Sequence, residues 1–123
     1  MGWPPQVGEL LPRVGEATGI REKLIGYSLN PDHREGGAKA HGFFLMLGID
    51  RASVDHLESE IRRGIGRAPI ASFSVTAFGY RCVVEFFVQG VGHRAGRLVR
   101  LRTVWQLASP HAPPRLLTAF LKP

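Results

Sequence analysis

The chain has one cysteine, Cys82, so it can form no intramolecular disulfide and no cysteine-based zinc site. Cys82 sits among apolar residues and reads as a small core residue. No run of about 18 apolar residues is present, which excludes a membrane-spanning helix. The N-terminus lacks the basic-then-apolar pattern of a secretory signal. The cytoplasm is therefore the expected compartment, or a target cell if the domain is delivered as part of a larger protein. Phosphate-loop chemistry is also missing: no Lys-Ser/Thr and helix follow Gly90, Gly92 and Gly96. There is no Gly-x-Ser-x-Gly elbow. Asp32, His33 and His41 lack a metal-ligand spacing, so neither metal nor cofactor is expected. Acidic residues are scarce as well. Ten Asp and Glu face sixteen Lys and Arg, a net charge of +6 with a pI near 10.4, and Arg far outnumbers Lys. That balance suits an anionic partner, and Arg is the side chain that forks onto phosphate.

What is present describes one folded unit. A chain of 123 residues, 44% hydrophobic and 21% charged, has the length and makeup of a single domain. Residues 1–19, with Trp3-Pro4-Pro5 and scattered Gly, show no sustained period and read as a loosely packed irregular lead-in to a domain over 20–123. Ile20, Leu24, Tyr27 and Leu29 space a helix of about two turns, with Thr18 as its cap. A second helix is predicted over 38–47, with Phe43, Phe44 and Leu47 on its apolar face and Gly48 just past its end. Asp50 caps a third through Arg63, burying Val54, Leu57 and Ile61, leaving His56, Glu58, Ser59, Glu60 and Arg62 outside, and closing at Gly64 and Gly66. Beyond Pro69 the period changes to two. Strands are predicted over 70–77, 81–88, 97–107 and 115–121, joined by intervals too short for crossover helices. The fold class is α+β: two to three N-terminal helices on one face of a four-stranded antiparallel meander.

Two segments carry candidate chemistry. In 30–48, Asn30-Pro31 initiates a turn that places His33 on a loop, and Gly36-Gly37 gives the backbone freedom before the helix. Lys39 falls in the first helical turn, where it opposes the helix dipole at a cost of roughly 0.3–1 kcal/mol. A lysine there is either simply solvated or paired with an anion that the free helix N–H groups also favour. In 97–107, Val99, Leu101, Thr103, Trp105 and Leu107 share the face toward the helices. Arg100 and Arg102 point the other way, as a basic ladder or as cross-strand partners of Glu85. Alternation along 115–121 does not decide whether Thr118 faces the core or a cleft.

Leu29-Asn30-Pro31-Asp32-His33, Gly37-Ala38-Lys39-Ala40, Leu47-Gly48, Val99 through Trp105 and Pro114 through Phe120 resemble a bacterial family of small uncharacterised domains. Such domains are found alone, in phage-associated proteins and at the ends of polymorphic toxins. The layout is similar to the barnase/EndoU/colicin/RelE group of metal-independent ribonucleases. That resemblance implies RNA as partner and a cognate immunity or antitoxin protein. It implies His33 as general base or acid, Lys39 and Arg102 on the scissile phosphate, and Thr118 hydrogen-bonded to it. Arg100, Thr103, Arg115 and Trp105 are the expected substrate-binding residues. The competing expectation is a non-catalytic basic module that contacts nucleic acid or an acidic protein.

Overall fold

The computed structural model describes residues 2–123 and has three helices preceding a four-stranded antiparallel sheet, an α+β fold. Strands β1 (Ile70–Thr76), β2 (Gly79–Gln89), β3 (Leu98–Leu107) and β4 (Arg115–Lys122) lie in the order β1-β2-β3-β4, the expected meander. Val99, Leu101, Thr103, Trp105 and Leu107 of β3 are all buried, as their alternation requires. With Cys82, Val84 and Val88 of β2 they pack against Ile20, Leu24, Leu29, Phe43, Leu47, Leu57, Ile61 and Ile65. One sheet face is therefore core and the other is open.

Several local features of the helices differ from expectation. The first helix is short: α1 (Ile20–Lys23) runs straight into a π turn over Leu24–Ser28, closed by the Leu29 N–H on the Leu24 carbonyl at 2.8 Å. Its N-cap is Gly19, not Thr18. The Thr18 backbone instead forms a bridge to β4 at Arg115. In α2 (Gly37–Leu47), Ala40, Phe43 and Leu47 are buried, whereas Phe44 is exposed beside His93. Asp50 caps a 3-10 turn over Arg51–Ser53, and α3 (Val54–Ile65) continues through Gly64. Gly64 does not end the helix: a Cβ there would lie 2.4 Å from the Phe86 ring, so the glycine lets α3 approach the sheet. Glu60, expected outside, is 5% exposed. Its Oε1 accepts the Gln89 N–H at 2.9 Å while its other oxygen pairs with Arg63, and His56 Nε2 donates to the Gln89 carbonyl at 2.8 Å. Together these bonds tie α3 to the end of β2.

The lead-in is irregular but not loose. Gly8 N–H bonds the Ile70 carbonyl and Ile70 N–H the Glu9 carbonyl, Leu11 and Ala17 enter the core, and Trp3 meets Tyr80 edge to face. β4 carries a bulge. Val104 pairs with Thr118 but Trp105 pairs with Leu116, so Leu117 is an extra residue. Leu116 and Ala119, three apart, both reach the core. Thr118 and Phe120 then join Val104 and Arg102 on the open face.

Candidate functional site

The turn before α2 is built around His33. Its carbonyl accepts the Gly37 N–H at 2.9 Å, and its Nδ1 accepts the N–H groups of Glu35 at 3.0 Å and Gly36 at 2.9 Å. A side chain that takes the second and third N–H of a helical turn is acting as its N-cap. The Nδ1 lone pair is thereby occupied and the proton of the neutral ring is on Nε2. His33 can donate from Nε2, but it offers no lone pair to a 2′-hydroxyl. Gly36 and Gly37 serve close approach, not backbone freedom: added Cβ atoms would lie 2.3 Å from the Tyr27 carbonyl and 2.8 Å from the Pro31 carbonyl. That contact seats the start of α2 on the π turn and brings three aromatic or cationic side chains together. The Tyr27 and His33 rings meet edge to face with centroids 4.5 Å apart.

Lys39 occupies the centre. Its Nζ donates to Thr118 Oγ1 at 3.1 Å and, more weakly, to Tyr27 Oη at 3.4 Å. The ammonium lies 4.6 Å from the Tyr27 ring centroid and 5.3 Å from that of Phe120. Lys39 is half-buried and, among the described residues, joins no ion pair. Each cation–π contact contributes about 0.5–2 kcal/mol, but an aromatic face is not a counter-charge. The Thr118 and Tyr27 hydroxyls, which accept from Lys39, keep their own protons to donate. The polar side chains that contact Lys39 can therefore each still donate to an anion.

Arg102 lies one strand further in. Register pairs Glu85, Arg102 and Phe120 across β2, β3 and β4, and the Arg102 guanidinium carbon is 5.9 Å from the Phe120 centroid. Arg102 Nε donates to Glu85 Oε2 at 2.6 Å, so part of its charge is neutralised, as the cross-strand alternative anticipated. A continuous series of contacts thus links His33, Tyr27, Lys39, Thr118, Phe120 and Arg102. The four residues expected to act on phosphate are brought together, with two aromatic residues between them that the sequence did not single out. Tyr27 reads as part of a helical stripe in the sequence, and only the π turn aims it at Lys39.

Of the four expected substrate-binding residues, Arg100 is exposed on the open face, two residues from Arg102. Thr103 and Trp105 are 0% exposed and belong to the core, a correction to their assignment as ligand contacts. Thr103 Oγ1 donates to the Val84 carbonyl at 2.7 Å and accepts Trp105 Nε1–H at 2.8 Å, which satisfies the polar atoms of both. Arg115 is exposed at the start of β4, opposite Gln106 and packed over Gly19, and takes no part in the contacts around Lys39. Among the described residues no three His, Cys, Asp or Glu side chains are grouped as a metal-ligand set, and no helix is long and apolar enough to cross a membrane.

Fold and site define a small helix-backed antiparallel sheet with a lysine, unpaired among the described residues, at the junction of its second helix and its edge strand. The chain belongs to the family described as "Domain of unknown function (DUF6883)", which matches residues 10–123. No curated protein and no solved structure matches it.

Proposed function

We propose that this domain cleaves RNA by transesterification without a metal ion. The observation that carries the reading is Lys39: a half-buried lysine with no acidic partner among the described residues, ringed by hydroxyls and aromatic faces, lacks only an anion. A phosphodiester supplies that anion. Lys39, Thr118, Tyr27 and the His33 Nε2–H would then stabilise the charge that builds as the 2′-oxygen attacks phosphorus, the type of stabilisation that contributes most in such reactions. Glu85 is the carboxylate in contact with this set, through Arg102, and is assigned the proton of the 2′-hydroxyl. The Lys39 ammonium is assigned delivery of a proton to the departing 5′-oxygen, leaving a 2′,3′-cyclic phosphate. Arg102 orients Glu85 and adds positive charge at the phosphate. A toxin-like role with a cognate immunity or antitoxin protein is part of the same proposal.

The test is incubation of the full chain with RNA in EDTA, with analysis of the ends produced. Cyclic phosphate ends, lost in Lys39→Ala and Glu85→Gln, support the reading. RNA left intact by wild-type protein at every concentration overturns it. Arrested growth on expression, relieved by Lys39→Ala, supports the toxin role, and normal growth with abundant wild-type protein opposes it. A second reading, a basic module that binds without cleaving, is favoured by one observation: His33 Nδ1 is already engaged by the turn before α2, so the ring offers no lone pair as a general base. Tight binding of uncleaved RNA would select it.

A further inference from the structure

The open face of the sheet carries a second set of side chains that ion pairs leave free. Phe87, Arg100 and Lys122 form one transverse row, since Phe87 is opposite Arg100 and Arg100 is opposite Lys122. Phe87 is 64% exposed and, among the described residues, stacks on no other ring. Among the described residues Arg97, Arg100 and Lys122 form no ion pair, and Glu85, two residues away on β2, is held by Arg102. An unstacked aromatic ring and three uncompensated cations thus line one groove. This groove shares Met46 and Pro123 with the groove beside Lys39 and Phe120, so the two form a continuous surface.

We propose that this row is a nucleotide subsite for single-stranded RNA, with a base stacked on Phe87 and the adjoining phosphate between Arg100 and Lys122. The inference rests on the reading that Lys39 receives an RNA phosphodiester, and it adds the next nucleotide along the strand. Arg102 and Arg100 are two residues apart on β3, a step of about 7 Å, on the scale of neighbouring phosphates in an extended strand. A ring free on its face accepts any base, because every base has a π face, whereas a duplex keeps its bases stacked inside. An apolar partner would leave three cations without counter-charge, and an acidic protein would have no use for the exposed ring.

The test measures binding of the full chain to a short oligoribonucleotide with 2′-O-methyl riboses, which cannot undergo transesterification. Phe87→Ala, on an exposed side chain, is expected to weaken binding about 5- to 150-fold, and Phe87→Trp to preserve it. Arg100→Ala is expected to reduce the slope of log affinity against log salt by about 0.7. The same sequence as a duplex should bind more weakly than the single strand. Equal affinity of Phe87→Ala and wild type overturns the subsite. If that binding is also steeply salt-dependent, the face is a general polyanion surface, as an acidic protein partner would use. Wild-type protein that binds no strand overturns it too. Cleavage of unmodified RNA judges the Lys39 site separately. Protein that binds through Phe87 but cleaves nothing keeps the subsite and loses the ribonuclease, and cleavage with Phe87-independent binding does the reverse.

Discussion

At the scale of single residues, His33 has two separable roles, as a cap and as a donor. Asn is also a good N-cap, because its side-chain oxygen accepts the same N–H groups, but it has no Nε2–H. If His33 acts only through the turn, His33→Asn keeps RNA cleavage and His33→Ala loses about 0.5–2 kcal/mol of stability. If Nε2–H touches the phosphate, both variants lose activity and only His33→Ala loses stability. We expect the second outcome, read from denaturant unfolding and cleavage rates together. Glu60 makes a purely structural prediction. Glu60→Ala strands the Gln89 N–H and should cost about 1–3 kcal/mol in denaturant unfolding, while Glu60→Gln keeps an acceptor and costs less. Burial pushes the Cys82 thiol from 9.0 up to about 11. The folded state therefore keeps the proton that the unfolded chain releases, and stability is fully present below pH 9.0 and falls as pH rises toward about 11. The slope approaches 1.4 kcal/mol per pH unit in that window, roughly, and should be absent from the matched Cys82→Ala protein.

At the scale of elements, the π turn and α2 are held in contact by the absence of a side chain. Gly36 faces the Tyr27 carbonyl at a distance no Cβ tolerates, whereas Gly26, within the same π turn, has nothing within 4 Å. Gly36→Ala must push α2 away and separate Lys39 from Tyr27, at about 1–3 kcal/mol of stability, with loss of RNA cleavage. Gly26→Ala should leave cleavage intact and stability equal or higher, because alanine is the better helix former by about 0.5–1 kcal/mol. Loss of cleavage in both variants, or in neither, would falsify this account of the contact. Helices α2 and α3 and the four strands were legible in the sequence because their apolar residues recur at periods near four and two. The π turn and the β4 bulge were not, because each inserts one residue into a regular pattern and changes which face the following side chains take. Thr118 shows the effect, since alternation left its face undecided and the bulge after Val104 puts it beside Lys39.

At the scale of the whole molecule, the net charge of +6 is unevenly used. Arg13, Arg21, Arg62 and Arg63 pair with acids on the lead-in and helices, while Lys39, Arg97, Arg100 and Lys122 pair with none among the described residues. RNA affinity should therefore fall steeply with salt, with a log–log slope of about −0.7 for each phosphate contacted. Arg13→Ala, in a guanidinium already engaged by Glu16, should leave that slope unchanged, and Lys122→Ala should reduce it. Titration of a labelled single strand at several salt concentrations checks both.

The sequence by itself determined the fold class, the strand order, the open and buried faces of β3 and the excess of positive charge. All of these follow from local periodicity and composition. It did not determine which cations remain without partners, that Thr103 and Trp105 complete each other's hydrogen bonds inside the core, or that Tyr27 and Phe120 enclose Lys39. Those depend on contacts between residues far apart in the chain, set by a π turn, a bulge and two glycines whose effects appear only when helix and sheet are packed together.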